Sequence, residues 1–593
     1  MADIHYHIYP KNLQAHLFEI TLTILKPDPE GQKLLLPAWI PGSYLIRDFA
    51  KHVIQLKAES QGQLIAIEKI DKSTWQCIPV SAPLRVIYEV YAWDDSVRTA
   101  YLDTFRGFFN GSSVFLQVTG QENQPCEITI SPPIGESYSQ WKVATAFQTA
   151  GAKPYDFGNY QADNYEELID HPVEMGQFSL ATFQADGVPH DIVISGHHRT
   201  DMDRLCKDLK ILCEHHIRFF GEPAPMKRYV FLIRATGDSY GGLEHRASSA
   251  LICNRDHLPQ LAGLLNKEGY RTFLGLCSHE YFHTWHVKRI KPAVFIPYDL
   301  TKENYTRLLW VFEGITSYYD DLALVRAELI SPESYLSLLS HTITRVLQGS
   351  GRLKQNLADS SFDAWTKFYQ QDENAPNAIV SYYAKGSLVA LALDLTLRRD
   401  TQGKCSLDTM IKVLWQSYGK TGKGLPEIGE IGIEQMTQRI SGLDLSTFFD
   451  HALRSTEDLD LESLFQWVGI HYQLYYSNKK EEQPSATLGI KLTPKVLEAK
   501  ISQVFDHSAA QLGGMAAGDT IIAVDGIKAT AENLENLIAA YPVGATITFH
   551  SFRIDVLHVF QVVLKPTPKN TCILSFNEQA SSEAMIAKKF WLN

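Results

Sequence analysis

Two histidines and a glutamate near the middle of the chain have the types and the spacing needed for metal chemistry. His279 and His283 are four residues apart in the sequence HEYFH, and Glu280 follows the first of them. Residues four apart share one face of a helix, so both imidazoles could bind one divalent cation. This pattern is typical of zinc sites in which the glutamate serves as a general base.

A helix is expected here because residues 271–291 contain no proline and Pro292 follows them. Lys288, Arg289 and Lys291 would then lie in its last turn, where the helix dipole favours cations. The alternative is an amphipathic helix that carries two histidines by chance. A third ligand elsewhere in the chain would favour the metal site.

Three residues could supply that third ligand, since a catalytic zinc keeps three protein ligands and one open position. His286 shares a helical face with His279, but one straight helix can hardly surround a tetrahedral ion. Glu303 begins a predicted helix among polar neighbours. Glu313 lies in the apolar segment WVFEGITSYY, where an acid is costly unless it is paired or metal-bound. We predict Glu313 as the ligand, with an arginine-paired structural acid as the alternative.

Two further segments have residues suited to binding a substrate. Gly241 and Gly242 precede Glu244, and glycines beside a strand let a ligand approach the backbone. Such an edge strand could pair with an extended peptide, although a tight turn with an exposed acid is the alternative. Tyr383, before an apolar helical run, could donate a hydrogen bond to an oxyanion or could be a core aromatic.

Composition limits the class of protein. A chain of 593 residues is too long for one core, so several domains are expected. There are 67 acidic and 55 basic residues, which argues against a nucleic-acid partner. Eight scattered cysteines without a CxxC pair indicate reduced thiols and a cytoplasmic location. No apolar run of about 18 residues is present, so no membrane span is expected, and the N-terminal sequence MADIHYHIYPKN has no apolar h-region, so no signal peptide is expected.

Five stretches together resemble one family: PAWIPGSY, DHPVEMG, YGGLEHRAS, HEYFHTWHVKRIKP and WVFEGITSYYDD. They are similar to the glycyl aminopeptidase family of PDZ-containing zinc metallopeptidases, in the gluzincin clan with an aminopeptidase N-like catalytic domain. The resemblance and the periodicity predict a multidomain α+β fold. Its parts would be an N-terminal β-sandwich (1–170), a mainly helical thermolysin-like catalytic domain (171–468), a PDZ domain (469–570) and a tail (571–593).

The resemblance also implies roles for individual residues. One Zn²⁺ per chain would be held by His279, His283 and Glu313. The other implied roles are a general base at Glu280, an oxyanion donor at Tyr383, and substrate binding at Gly241, Gly242 and Glu244. The sequence departs from the gluzincin aminopeptidases at Phe312, where an asparagine is usual, and at His245, where their exopeptidase motif has asparagine.

The C-terminal region resembles a bacterial PDZ module. Leu488, Gly489 and Ile490 match the loop that receives a peptide C-terminus, and residues 518–526 match the central stretch of such modules. Alternation at residues 546–549 indicates a strand without reference to any family. The alternative is a small β module that only packs against the rest of the chain.

The function implied is removal of the N-terminal residue from peptides with a free N-terminus, with a preference for glycine or alanine that rests on the resemblance. Metal-activated water would attack, with a glutamate as base. The alternatives are a zinc endopeptidase and a PDZ-bearing peptide-binding scaffold whose zinc site is structural or vestigial. A base beside both histidines argues against the scaffold, because a structural zinc has no use for one.

Overall fold

The computed structural model describes residues 2–261, 266–429, 432–476 and 483–593. Residues 477–482 of the predicted C-terminal domain lie outside the described part. The chain forms two compact units. The first comprises residues 1–304, 327–329 and 411–425, and the second comprises 305–326, 330–410 and 426–593. The histidine motif belongs to the first unit, and Glu313 and Tyr383 belong to the second.

The N-terminal part of the first unit is β-rich. Along strand Ile4–Asn12 buried side chains alternate with half-buried ones, the period of a strand with one face in the core. The strands of the eight-stranded sheet are, in order, Gln148–Thr149, Gly158–Ala162, Cys126–Ile130, Ile4–Asn12, Leu17–Ile24, Leu84–Tyr91, Val53–Ser60 and Gln63–Ile65. Ile4 pairs with Ile24 in the antiparallel neighbour and with Cys126 in the parallel one.

Two smaller sheets and two short helices complete this β-rich part. One sheet has the order Lys142–Thr145, Val173–Gly176, Arg106–Phe109 and Ala100–Leu102, and the other has the order Gln117–Val118, Lys33–Leu35, Thr74–Cys77 and Ile67–Lys69. The helices are Gly111–Val114 and Tyr165–Ile169. The β-rich character predicted for the N-terminal domain is confirmed.

A five-stranded sheet follows in the same unit. Its order is Ser179–Ala185, Val188–Ser195, Tyr229–Thr236, Ser248–Asn254 and Gly241–Glu244. The three middle strands are parallel and almost wholly buried, as expected for strands covered on both faces. Gly241–Glu244 pairs antiparallel with Ser248–Asn254 and is an edge strand of this sheet among the described residues. Helix Met202–Phe220 also belongs to this region.

The motif helix, Lys267–Phe282, carries His279 and Glu280. It begins where the Asn266 side chain accepts a hydrogen bond from the Gly269 amide at 2.9 Å, which satisfies one of the free N–H groups of the first turn. It ends at Phe282, and His283 is its C-cap residue. The prediction of a helix to residue 291 is therefore wrong.

Side-chain donors explain this early end. The Arg289 guanidinium donates to the Thr284 carbonyl at 2.6 Å, and His283 Nδ1 donates to the His286 carbonyl at 2.6 Å. These bonds satisfy backbone carbonyls that further helical turns would otherwise use. Lys288, Arg289 and Lys291 consequently lie beyond the helix and not in its last turn.

Helices dominate the chain from residue 310 to residue 467. The α-helices are Ile315–Arg326, Pro332–Gln348, Leu357–Phe362, Ala375–Ala378, Ala384–Asp400, Leu407–Leu414, Ile433–Ser441, Ser446–Phe449 and Leu461–Trp467. Turns of π-helix occupy Trp310–Gly314, Trp415–Gly419 and Asp450–Arg454. None of the helices in the described ranges combines the length and apolar character that a bilayer crossing requires.

A β module closes the second unit. Strands Ile490–Leu492, Ala499–Val504, Thr520–Val524, Thr546–Arg553 and Val556–Val563 follow one another in its sheet, and Ile527–Lys528 also pairs with Thr520–Val524. Two separate strand pairs flank it, Ile470–Tyr475 with Thr571–Phe576 and Ala486–Thr487 with Lys565–Pro566. The module has its own apolar core, which includes Leu488, Ile501, Ile521, Phe549 and Val562. Its short helices are Ala509–Leu512 and Leu534–Ala539.

The chain ends in helix Ser582–Leu592. Trp591 on this helix is buried, and its indole N–H donates to the Tyr318 hydroxyl at 2.8 Å. Arg326 donates to the Trp591 carbonyl, so the helix is anchored by polar as well as apolar contacts.

Candidate functional site

The two histidines of the motif lie side by side in the first unit. Their ring centroids are 4.6 Å apart, with the ring planes at 85°. His283 is buried, and its Nδ1 donates to the His286 backbone carbonyl. Because the proton of a neutral imidazole is then on Nδ1, Nε2 presents a lone pair, as in histidines that bind metals. The chemistry of this donor pair fits a zinc ion.

Glu280 projects from the motif helix and is 5% exposed. The edge strand approaches it through Gly242. A Cβ atom at Gly242 would lie 2.0 Å from Glu280 Oε1, so only glycine lets the backbone come so close to this carboxylate. The Gly242 backbone therefore limits where the carboxylate can lie.

Glu244, at the end of the edge strand, is also buried. The backbone of Gly42 packs on its carboxylate, since a Cβ atom there would lie 2.4 Å from Glu244 Oε1. Gly42 has a φ of 99°, a left-handed conformation that favours glycine. Arg98 donates to the Gly242 carbonyl at 3.0 Å. Residues of the N-terminal β-rich part thus border both the edge strand and its acid.

Glu244, Glu280 and His283 form one group, in which a potential ligand atom of each lies within 4.8 Å of the other two. At this distance two carboxylates repel each other by on the order of 3 kcal/mol at an effective dielectric constant of about 20. A cation between them removes that cost, whether it is a metal ion or an ammonium group. The group is therefore suited to binding positive charge.

Glu313, in the second unit, is 2% exposed and lies in the π-helical turn Trp310–Gly314. Gly314 packs backbone to backbone on Gly386, because a Cβ atom at Gly314 would lie 2.7 Å from the Gly386 Cα. Turns of π-helix are frequent at functional sites. Two glycines thus hold the turn that carries Glu313 against the helix that begins after Tyr383.

Tyr383 is the N-cap residue of helix Ala384–Asp400. Its hydroxyl lies 3.3 Å from the Tyr369 hydroxyl, and its ring stacks on Phe368 with centroids 5.5 Å apart. Burial, and then the charge of Glu313, raises the pKa of the Tyr383 phenol well above its usual range. The phenol therefore stays protonated and can donate a hydrogen bond.

The predicted carboxylate-binding loop lies at the start of the C-terminal module. Leu488 is buried, and Gly489 has a φ of 68°. The Gly489 amide donates to Thr487 Oγ1 at 3.1 Å, and its carbonyl accepts from the Phe505 amide at 3.0 Å. Ile490 then begins a strand at the edge of the described sheet.

Family models match two parts of the chain. Residues 5–177 match the M61 peptidase N-terminal domain, and residues 272–389 match the M61 glycyl aminopeptidase. A solved structure from Idiomarina loihiensis, described as an aminopeptidase N family protein, is 42% identical over 100% of both chains, with a TM-score of 0.94. The chain belongs to the M61 glycyl aminopeptidase family. It is a metallopeptidase.

Other comparisons are more distant. An M1 zinc metallopeptidase from Deinococcus radiodurans is 13% identical over 77% of this chain and 95% of its own, with a TM-score of 0.48. This similarity is too remote to support a conclusion about activity. No curated protein sequence matches the chain.

The two other candidate ligands, His286 and Glu303, lie in segments of this M61 chain that local hydrogen bonds hold. His286 offers its backbone carbonyl to His283. Glu303 does not begin a helix, so that expectation is wrong. The Asn304 side chain donates to the Asp299 and Lys302 carbonyls, at 2.8 and 2.9 Å, and these bonds hold the segment in a turn.

Several residues near the site were not predicted. Gly42 and Asp170 belong to the family stretches PAWIPGSY and DHPVEMG, which were the available signal. Asp170 pairs with Lys288, and its other oxygen accepts from the Arg246 amide at 2.9 Å. The role of Arg98 could not be predicted, because nothing in the sequence around it indicates contact with a strand more than 140 residues away.

Proposed function

We propose that this chain is a zinc-dependent aminopeptidase that hydrolyses the N-terminal peptide bond of peptides. The observation that carries the proposal is the group formed by Glu244, Glu280 and His283, whose ligand atoms lie within 4.8 Å of one another. It combines an acid for a substrate ammonium, an acid for proton transfer and a metal-binding imidazole. The preference for glycine or alanine rests on the family.

His279, His283 and Glu313 are the proposed ligands of one zinc ion per chain. The adjacent imidazoles and the Nδ1–H bond of His283 support the first two. Burial of a carboxylate in an apolar turn supports Glu313, because a metal ion stabilises a buried carboxylate. When bound, the ion supplies a Lewis acid that polarises the scissile carbonyl and acidifies water to a pKa of about 7.

Glu280 is the proposed general base. Its carboxylate accepts a proton as water attacks the scissile carbonyl carbon, and then donates that proton to the nitrogen of the leaving amine. The Gly242 backbone restricts the position of the carboxylate. This restriction places the base before the reaction begins, which lowers the entropic cost of proton transfer.

Tyr383 is the proposed oxyanion donor. Its raised pKa keeps the phenol protonated, so it can donate a hydrogen bond to the carbonyl oxygen as negative charge develops there. Stacking on Phe368 and the contact with the Tyr369 hydroxyl support a fixed orientation of this donor.

Glu244 is proposed to pair with the α-ammonium of the substrate. Gly42 packs on the carboxylate, so a peptide has little room to extend past this acid. The pairing sets the distance from the substrate N-terminus to the reacting carbonyl and favours cleavage after one residue. An endopeptidase would instead need an open path beyond Glu244.

The proposal is tested with chromogenic glycyl and alanyl anilides, each with a free and an acetylated amine. We expect hydrolysis of the free-amine substrates only, its loss with a chelator and its return with added zinc. Equal cleavage of acetylated substrates would identify an endopeptidase. Absence of any chelator-sensitive hydrolysis would favour a peptide-binding scaffold.

We also propose that residues 469–570 are a PDZ domain that binds a peptide C-terminus at Leu488, Gly489 and Ile490. The left-handed Gly489 and the edge strand that follows support this. A labelled peptide with a free C-terminal carboxylate should bind in fluorescence polarisation, and its amidated form should not. The boundaries 1–170, 171–468, 469–570 and 571–593 and the cytoplasmic location stay predictions.

A further inference from the structure

The first unit contains an open cleft of about 1060 Å³, and none of the residues proposed above for peptidase chemistry is among its lining residues. Basic side chains dominate its wall: Lys227, Arg228, Arg246, Lys288, Arg289, Lys291 and Lys420. Its acidic side chains are three, all from residues 163–167. The cleft wall therefore carries a clear excess of positive charge.

The nearby carboxylates neutralise only part of this charge. One oxygen of Glu166 accepts from both Lys291, at 2.7 Å, and Arg246, at 2.5 Å. Lys288 pairs with Asp170 at 2.5 Å. Three cations thus share two carboxylates.

Arg289 adds a positive charge whose direct partners are backbone carbonyls. Three of its N–H groups donate to the backbone carbonyls of Arg246, Thr284 and Pro225 at 2.6–3.0 Å. No carboxylate in the described part of the chain lies within ion-pair distance of it. Burial, and then the charge of Arg246, lowers the pKa of Arg289 to about 10, and burial lowers that of Lys291 to about 8. Keeping Arg289 and Lys291 positively charged therefore costs free energy.

Two exposed lysines add further positive charge to the cleft. Lys227 and Lys420 are exposed and line the cleft, and within the described ranges neither has a carboxylate at ion-pair distance. The ammonium group of Lys420 lies 6.0 Å from the Trp415 ring. With Arg289, these lysines make three cations that line the cleft and that, among the described residues, have no carboxylate at ion-pair distance.

We propose that this cleft binds a small dianion with a tetrahedral oxyanion group, such as a phosphate, through Lys227, Arg289 and Lys420. Cations that line a cleft attract anions strongly because the low-dielectric wall focuses their field. Lysine and arginine donors also suit the several acceptor oxygens of such a group. The ligand would be distinct from the peptide substrate, because the cleft carries the opposite charge from the group around Glu280.

The test is isothermal titration of the zinc-loaded full-length chain with sulfate, a dianion, at constant ionic strength. The Lys227→Met/Lys420→Met variant removes two exposed charges while Arg289 keeps its backbone contacts, and circular dichroism checks its fold. Lys51→Met, an exposed lysine on Phe49–His52, is the matched control. We expect saturable binding that weakens about tenfold or more in the double variant and is unchanged in the control.

Titration with inorganic phosphate and with glycerol phosphate separates the two sources of such a group. Tighter binding of either one supports the site and says whether free phosphate or a phosphorylated small molecule is its ligand. Absence of saturable sulfate binding by the parent chain would overturn the proposal. Equal affinity of the double variant and the parent would overturn it as well.

Discussion

Two groups of charged residues in the first unit have opposite signs, and each takes one residue from the short segment 244–246. Glu244 belongs to the acidic group with Glu280, and Arg246, two residues later, lines the basic cleft. Each group gathers like charges in a buried or recessed place, which costs free energy unless an opposite charge binds. The sign of each group thus specifies its ligand, a cation for the first and an anion for the second.

The two groups also differ in the space they leave. Glycine backbones at Gly42 and Gly242 pack against the two carboxylates of the acidic group and leave room only for small atoms. Long side chains surround the basic cleft and leave about 1060 Å³ open. The first arrangement suits a proton, a metal ion or an ammonium group, and the second suits a whole small molecule.

The largest expected effect comes from changing the base in the acidic group. Glu280→Gln should lower kcat by about 10²- to 10⁴-fold, because the amide cannot accept the proton of the attacking water. Zinc content, measured by plasma mass spectrometry, should not change. Substantial residual turnover would remove Glu280 from the role of base.

In the basic cleft, Lys291→Met should change the free energy of unfolding and its pH dependence. Burial lowers the pKa of Lys291 from 10.5 to about 8, so between these values the unfolded chain holds a proton that the folded chain has lost. Stability should therefore rise with pH in this window, by on the order of 3 kcal/mol for this group. Urea unfolding of the parent and of Lys291→Met should show this difference. A pH-independent difference would contradict the assignment.

Gly242→Ala tests the close approach of the edge strand to the acidic group. The new Cβ atom would lie 2.0 Å from Glu280 Oε1, so the carboxylate must move. A displacement of this size should lower kcat by about 10²-fold. Gly237→Ala is the control, because the nearest atom to its Cβ would be 3.9 Å away. Equal activity of both variants would show that the packing of Gly242 against Glu280 does not affect catalysis.

Glu244→Ala should have the smallest effect on turnover but the most selective one. Loss of the ammonium partner should lower kcat/KM for free-amine substrates by about 10- to 100-fold. Acetylated substrates should be affected far less, since they carry no ammonium group. A similar loss for both substrate classes would indicate a structural role for this acid.

The sequence predicted the parts of the fold that follow local patterns. Alternation predicted the β-rich N-terminal part, and the HEYFH spacing predicted a helix whose histidines share a face. It did not predict where that helix ends, because the bonds from Arg289 and His283 to backbone carbonyls depend on side-chain positions after Phe282. The turn at Glu303 was missed for a similar reason, since Asn304 bonds across it.

The candidate site was predicted where residue types alone indicate chemistry. His279, His283 and Glu280 needed only their spacing. Arg98 could not be assigned, and Gly42 had only its family stretch as a signal, because the importance of both comes from tertiary contacts with a strand far away in sequence. The cleft was missed because its cations come from four separated segments, and each segment alone resembles an ordinary solvated surface.

The proposed mechanism depends on one zinc ion held by two imidazoles of the motif helix region and by Glu313. The most direct test is the zinc content of the dialysed parent chain, Glu313→Ala and Glu280→Gln, determined together with the protein concentration. We predict one zinc per chain in the parent and in Glu280→Gln, and loss of most of it in Glu313→Ala. A Glu313→Ala protein that keeps a full equivalent of zinc would contradict the claim.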